Sequence, residues 1–149
     1  MTITVGKSIT LRILSAPGHL PVVRAATEKL CEMMGFDDET AGQIVLSLDE
    51  ALANVIEHAY DGSADGAIEV TLTPVGDDCP NALCIRLRDH GRQVDPSKIR
   101  PRDLDDVRPG GLGVHIIQQY MDRVDFEPAD GGGTILTMVK ELPAKGTPA

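Results

Sequence analysis

Between Ile44 and Ala59 the apolar residues Ile44, Leu48, Ala51, Leu52, Val55, Ile56 and Ala59 recur at spacings of three and four. At about 100° per residue they fill one broad arc of a helix. A helix with so wide an apolar face must bury it, so the rest of the chain has to supply a second layer. Glu50, Asn54 and His58 are successive i,i+4 neighbours and project together from another face. A carboxylate, a carboxamide and an imidazole in one row offer a proton acceptor, an oxygen ligand for a metal and a polar contact. A plain solvated helix face has the same pattern, so this row gains meaning only from what lies downstream.

The second layer is legible as alternation. Within Ile3 to Leu14, Ile9, Leu11 and Ile13 alternate with Ser8, Thr10 and Arg12, an amphipathic strand. Gly6-Lys7-Ser8 resembles the tail of a P-loop, but Met1 stands where that motif needs its first glycine. Val22, Val23, Ala26, Leu30, Met33 and Met34 mark a first helix, closed by Gly35. Asp37 or Asp38 starts the second helix, which is expected from about Glu39 to Tyr60. Turn residues follow at Asp61-Gly62-Ser63 and Asp65-Gly66. Ile68, Val70 and Leu72, then Leu83, Ile85 and Leu87, make an antiparallel hairpin that delivers Asp89 at its end.

Beyond a long charged stretch, Val114, Ile116, Ile117, Tyr120 and Met121 form a short helix. Val124 and Phe126 begin a strand, Asp130-Gly131-Gly132-Gly133 turns, and Thr134 to Val139 is the last strand. These elements predict an α+β two-layer sandwich, with helices on one face of a mostly antiparallel mixed sheet. One domain is expected over residues 1–142, with 143–149 a disordered tail.

The chain of 149 residues is long enough to bury a core, and with no Trp, 2 Tyr and 2 Phe that core must be aliphatic. The same scarcity removes base-stacking platforms, and a formal net charge of -9 argues against a basic nucleic-acid surface. Such a charge suits a basic or mixed-charge protein partner, or magnesium with a nucleotide. Cys31, Cys79 and Cys84 form no Cys-x-x-Cys pair and no even disulfide set, as expected of reduced thiols in a cytoplasmic chain. Met1 to Gly6 lacks a signal-peptide pattern, and no apolar run approaches membrane-spanning length.

Three polar pieces stand in order: Glu50-x-x-x-Asn54 on a helix, Asp89-x-Gly91 at a strand end, and Gly110-Gly111-Leu112-Gly113 opening a helix. Glycines let backbone amides approach an anion, and a helix N-terminus favours negative charge. The dinucleotide fingerprint differs, because it follows a strand directly. Here a loop from His90 to Pro109, crowded with charges and three prolines, comes first. Structureless loops of that length are usually functional or mobile.

Taken together, Glu50-x-x-x-Asn54 with His58, Asp89-His90-Gly91, Gly111-Leu112-Gly113 and Gly133-Thr134 resemble the GHKL, or Bergerat-fold, ATPases. Within them the chain is most similar to the anti-sigma-factor serine kinase branch, related to histidine kinases, from its first strand to about Leu142. The resemblance implies ATP and Mg²⁺, with Asn54 ligating the metal. Glu50 is implied as the base for a substrate serine hydroxyl; Asp49 is its neighbour, but only Glu50 has the four-residue offset from Asn54. Asp89 is implied to accept from the adenine amino group, with Gly91 making room for the ring and Thr134 supporting Asp89. Gly110, Gly111, Leu112 and Gly113 would cradle phosphates beneath a lid made by the charged loop, and His58 would approach a phosphate. Arg24 falls where such kinases meet protein partners.

The implied partners are a sigma factor, sequestered by binding, and an anti-anti-sigma antagonist, phosphorylated on serine or threonine. The resembling kinases also dimerise, and the first strand and helix are candidates for that interface. Position 93 is Gln where the adenine motif often carries Gly, although Gln93-Val94-Asp95-Pro96 is similar to a Pro-Phe-Asp-Pro variant among kinase-like regulators. Pro109 precedes the glycines where some members have a phosphate-contacting arginine, with Arg108 one residue away as a substitute. These two departures motivate an alternative, a nucleotide-binding interaction module without kinase turnover.

Overall fold

The computed structural model describes residues 3–91 and 113–143. In chain order the elements are β1 (Ile9–Leu14), a 3₁₀ turn (Pro17–His19), α1 (Leu20–Met34), α2 (Asp38–Asn54), a π-helical turn (Val55–Ala59), β2 (Ala67–Val75), β3 (Ala82–Asp89), α3 (Gly113–Tyr120), β4 (Arg123–Pro128) and β5 (Thr134–Glu141). The strands form one five-stranded sheet in the order β1-β2-β3-β5-β4. Among the described residues all four strand pairs are antiparallel, so the mostly antiparallel sheet expected is antiparallel throughout there. The hairpins β2–β3 and β4–β5 account for two of these pairs, and β5 returns beside β3 with β4 outside it.

Strand alternation decides what faces the helices. Ile68, Val70 and Leu72 of β2, Leu83, Ile85 and Leu87 of β3, and Leu136 and Met138 of β5 are buried on one side. Against them lie Val23, Leu30 and Cys31 of α1, Ile44, Leu48 and Leu52 of α2, and Ile117 of α3. The core is aliphatic, as an aromatic-poor composition requires. On the other side, rows such as Thr10–Thr71–Arg86–Thr137 and Arg12–Glu69–Arg88–Ile135 present a polar face. There Ser8 and Thr73 hydroxyls are 2.7 Å apart, and Arg12 pairs with Glu69 at 3.4 Å.

Local chemistry sets the helix ends. Gly35 closes α1 in the left-handed region at φ 94°, its N–H donating to Cys31 and Glu32 carbonyls. Asp37 caps α2, accepting from the Thr40 N–H at 2.7 Å, and those bonds hold its carboxyl below the usual range. Two boundaries differ from the sequence reading. β1 begins only at Ile9, because Gly6 takes φ 78° in a turn tied to Pro74. The α geometry of the second helix stops at Asn54, and the expected run to Tyr60 is completed by the π turn.

Candidate functional site

The α2 helix ends in the residues that carry its polar row. Glu50 is half-buried, and its carboxyl is pushed above its ordinary range, first by burial and then by the neighbouring charge of Asp49. Arg24 of α1 reaches Asp49, Nε to Oδ1 at 3.2 Å, in a contact whose angles make it an ion pair rather than a hydrogen bond. Asn54 is the last α-helical residue. In the π turn that follows, i→i+5 bonding adds a residue to the turn, so the i,i+4 stacking that joined His58 to Asn54 in the sequence reading ends there. The half-exposed His58 ring lies 3.9 Å from the Glu57 carboxylate. Such π turns are frequent at functional sites.

At the far end of β3, Asp89 is only 3 % exposed. Burial raises its carboxyl, while the backbone N–H groups of Gly91 and Thr134 pull the other way. The Gly91 N–H donates to Oδ1 at 3.1 Å. Beside it, Thr134 is 7 % exposed, and its hydroxyl has no hydrogen-bond partner among the described residues. Two glycines wall this corner. A Cβ on Gly91 would stand 2.3 Å from the Ala59 carbonyl oxygen, and one on Gly133, at φ +84°, 2.0 Å from that of Asp89. The end of the helical run, the end of β3 and the start of β5 therefore meet backbone against backbone. That is the approach a glycine allows and any other residue blocks.

Two residues of this corner carried no signal in the sequence. Arg88 points to the polar face, yet its Nη2 donates to the carbonyls of Asp130 and Gly132, each at 3.1 Å, and so fastens the glycine turn before Thr134. Tyr60 accepts from the His90 N–H at 2.7 Å and donates to the Ala67 carbonyl at 2.6 Å. Gly113 opens α3, which packs on α2 and buries Ile117. Arg108, Gly110, Gly111 and Leu112, together with Gln93, Pro109 and the charged loop expected to be a lid, lie outside the described residues, as does the tail from residue 144.

For an adenine ring the corner offers a buried carboxylate that could take its amino group and an orphaned hydroxyl beside it. Among the described residues no three His, Cys, Asp or Glu side chains gather to hold a metal. A magnesium ion would rely mainly on phosphates there, and the Asn54 amide oxygen at the end of α2 is a protein group that could join them. The sequence profile of the histidine kinase-like ATPase domain matches residues 13–140. This chain belongs to that family. Among similar proteins, the serine-protein kinase RsbW of Listeria monocytogenes serovar 1/2a is 28% identical over 142 residues, covering 90% of this chain and 88% of that one. The serine/threonine-protein kinase BtrW of Bordetella bronchiseptica is 30% identical over 92 residues, 59% of this chain and 62% of that one. A crystal structure of the RsbU and RsbW domains of a Mycobacterium tuberculosis protein superposes with a TM-score of 0.65 at 18% identity, over 91% of this chain and 32% of that longer one. The histidine kinase-like ATPase fold is shared. No helix among the described residues is long and apolar enough to cross a membrane.

Proposed function

We propose that this histidine kinase-like ATPase domain is an anti-sigma regulatory factor with protein serine/threonine kinase activity, dependent on ATP and Mg²⁺. It binds a sigma factor and phosphorylates an anti-anti-sigma antagonist. The observation that carries the reading is the buried Asp89 beside an unpartnered Thr134 hydroxyl, at the end of the helix bearing Glu50 and Asn54.

In this reading Asp89 accepts from the adenine amino group, Gly91 admits the ring, and Thr134 supports the contact. Asn54 holds magnesium, and His58, Arg108, Gly110, Gly111, Leu112 and Gly113 face the phosphates. ATP with its metal supplies the γ-phosphoryl group and neutralises its charge, leaving the protein to position and to manage one proton. Glu50 takes that proton from the substrate hydroxyl, and the upward shift of its carboxyl makes the ionised form a stronger base. Arg24, paired with Asp49 on the surface of α1 and α2, contacts the partner. Self-association through β1 and α1 belongs to the same reading, since Ile9, Leu14 and Val22 are exposed there.

Purified protein, mixed with ATP, Mg²⁺ and its antagonist, should yield phosphorylated antagonist. Glu50→Ala should keep ATP affinity while phosphotransfer falls about 10²–10⁴-fold, the usual scale of a general base. ATP binding with no phosphoprotein from the wild type would favour the alternative, an interaction module without turnover. Full phosphotransfer by Glu50→Ala would remove Glu50 from the mechanism.

A further inference from the structure

Tyr60 occupies a place that ordinary strand pairing would leave to the backbone. β2 and β3 pair in register down to Ile68 opposite Asp89, so the next rung would set Ala67 opposite His90. The Ala67 carbonyl and the His90 N–H do not bond each other in a ladder rung. Both go to the Tyr60 hydroxyl, which donates to the carbonyl at 2.6 Å and accepts from the N–H at 2.7 Å. Two bonds in series through an oxygen span more than one direct bond of about 2.9 Å. The strands are therefore held apart from this point, and the chain leaves the sheet at His90.

The ring is fixed as firmly as the hydroxyl. A Cβ on Gly66 would stand 2.4 Å from its Cδ2, and one on Gly91 would stand 2.9 Å from its Cε1. The ring thus lies against the backbone of two glycines. Tyr60 also closes the π turn that begins after Asn54, and its carbonyl accepts from the Ser63 N–H at 2.8 Å. One side chain consequently ties the end of the Asn54 helix to the strand end that presents Asp89.

We propose that Tyr60 is a positioning residue of the nucleotide site, a wedge that ends the β2–β3 ladder one rung early and fixes the course of the chain through His90 and Gly91, beside the carboxylate of Asp89. This rests on the placement of adenine at Asp89 given above. Tyr60 touches neither phosphate nor transferred proton, so its removal should act on nucleotide affinity and leave the chemical step alone.

Tyr60→Phe keeps the packed ring and removes only the hydroxyl. Calorimetric titration should show ATP and ADP binding about three- to tenfold weaker, the scale of one or two neutral hydrogen bonds. The KM for ATP should rise by the same factor with kcat at saturation unchanged. Hydrogen exchange of the His90 amide should be faster than in the wild type. Unchanged nucleotide affinity, or a loss of kcat at constant KM, would overturn the proposal. If the wild type binds no ATP, the adenine placement itself falls, and His90 exchange still decides the wedge: equal protection in both proteins overturns it.

Discussion

Replacing Thr134 by valine should move stability and binding in opposite directions. The side chains have nearly the same shape, so the substitution removes one hydroxyl and little else. That hydroxyl is buried, on a residue 7 % exposed, and has no partner among the described residues. An unpaired buried hydroxyl costs roughly 1–3 kcal/mol in protein mutational data. Taking the low end, Thr134→Val should stabilise the nucleotide-free protein by about 1 kcal/mol, a rise of about 2–4 °C in Tm for a chain of this size. Bound adenine would lose one neutral hydrogen bond of about 0.5–1.5 kcal/mol, weakening ATP by about two- to twelvefold. Scanning calorimetry without nucleotide and titration with ATP read the two effects separately. A lower Tm in the free variant, or unaltered ATP affinity, would refute the claim that this hydroxyl is kept for a ligand.

Asp89→Asn should weaken ATP by about tenfold or more, the scale of a hydrogen bond to a charged group, and titration calorimetry reads it directly. Phosphotransfer should fall as the medium is acidified through the raised carboxyl of Glu50, because the base acts ionised. Asp49→Asn removes the like charge beside it, so the acid limb of the pH–rate profile should move to lower pH; an unmoved limb would dismiss that coupling. Gly133→Ala places a Cβ against the Asp89 carbonyl at a positive φ, and denaturant unfolding should show a loss of about 1–3 kcal/mol.

Periodicity made most of the scaffold readable. Alternation at Ile68, Val70, Leu72 and at Leu83, Ile85, Leu87 located β2 and β3 and named the buried side of both. The three-and-four spacing of Ile44, Leu48, Ala51 and Leu52 did the same for α2. What escaped was set by contacts remote in sequence. Nothing in the pattern from Val55 to Ala59 distinguishes a π turn from a continued α-helix, since Ala59 is buried on either count. The pairing of all strands antiparallel depends on where β5 returns, which spacing does not encode. Within the site, Asp89, Gly91 and Thr134 were legible as motif residues. Tyr60 and Arg88 act through backbone groups 30 and 42 residues away in the case of their His90 and Asp130 bonds, and no local motif announces that.

Arg88 gives the corner at Asp89 and Thr134 a fastening on the reverse of the sheet. Its guanidinium holds the Asp130 and Gly132 carbonyls from the polar side, while the turn it grips leads into Thr134 on the buried side. Mutational surveys of this molecule that score only ligand-facing positions would overlook it. If Thr134 serves a nucleotide as proposed, variation on the sheet's outer surface, at Arg88 and at whatever competes for its guanidinium, should alter affinity without any change among the groups proposed to touch the nucleotide.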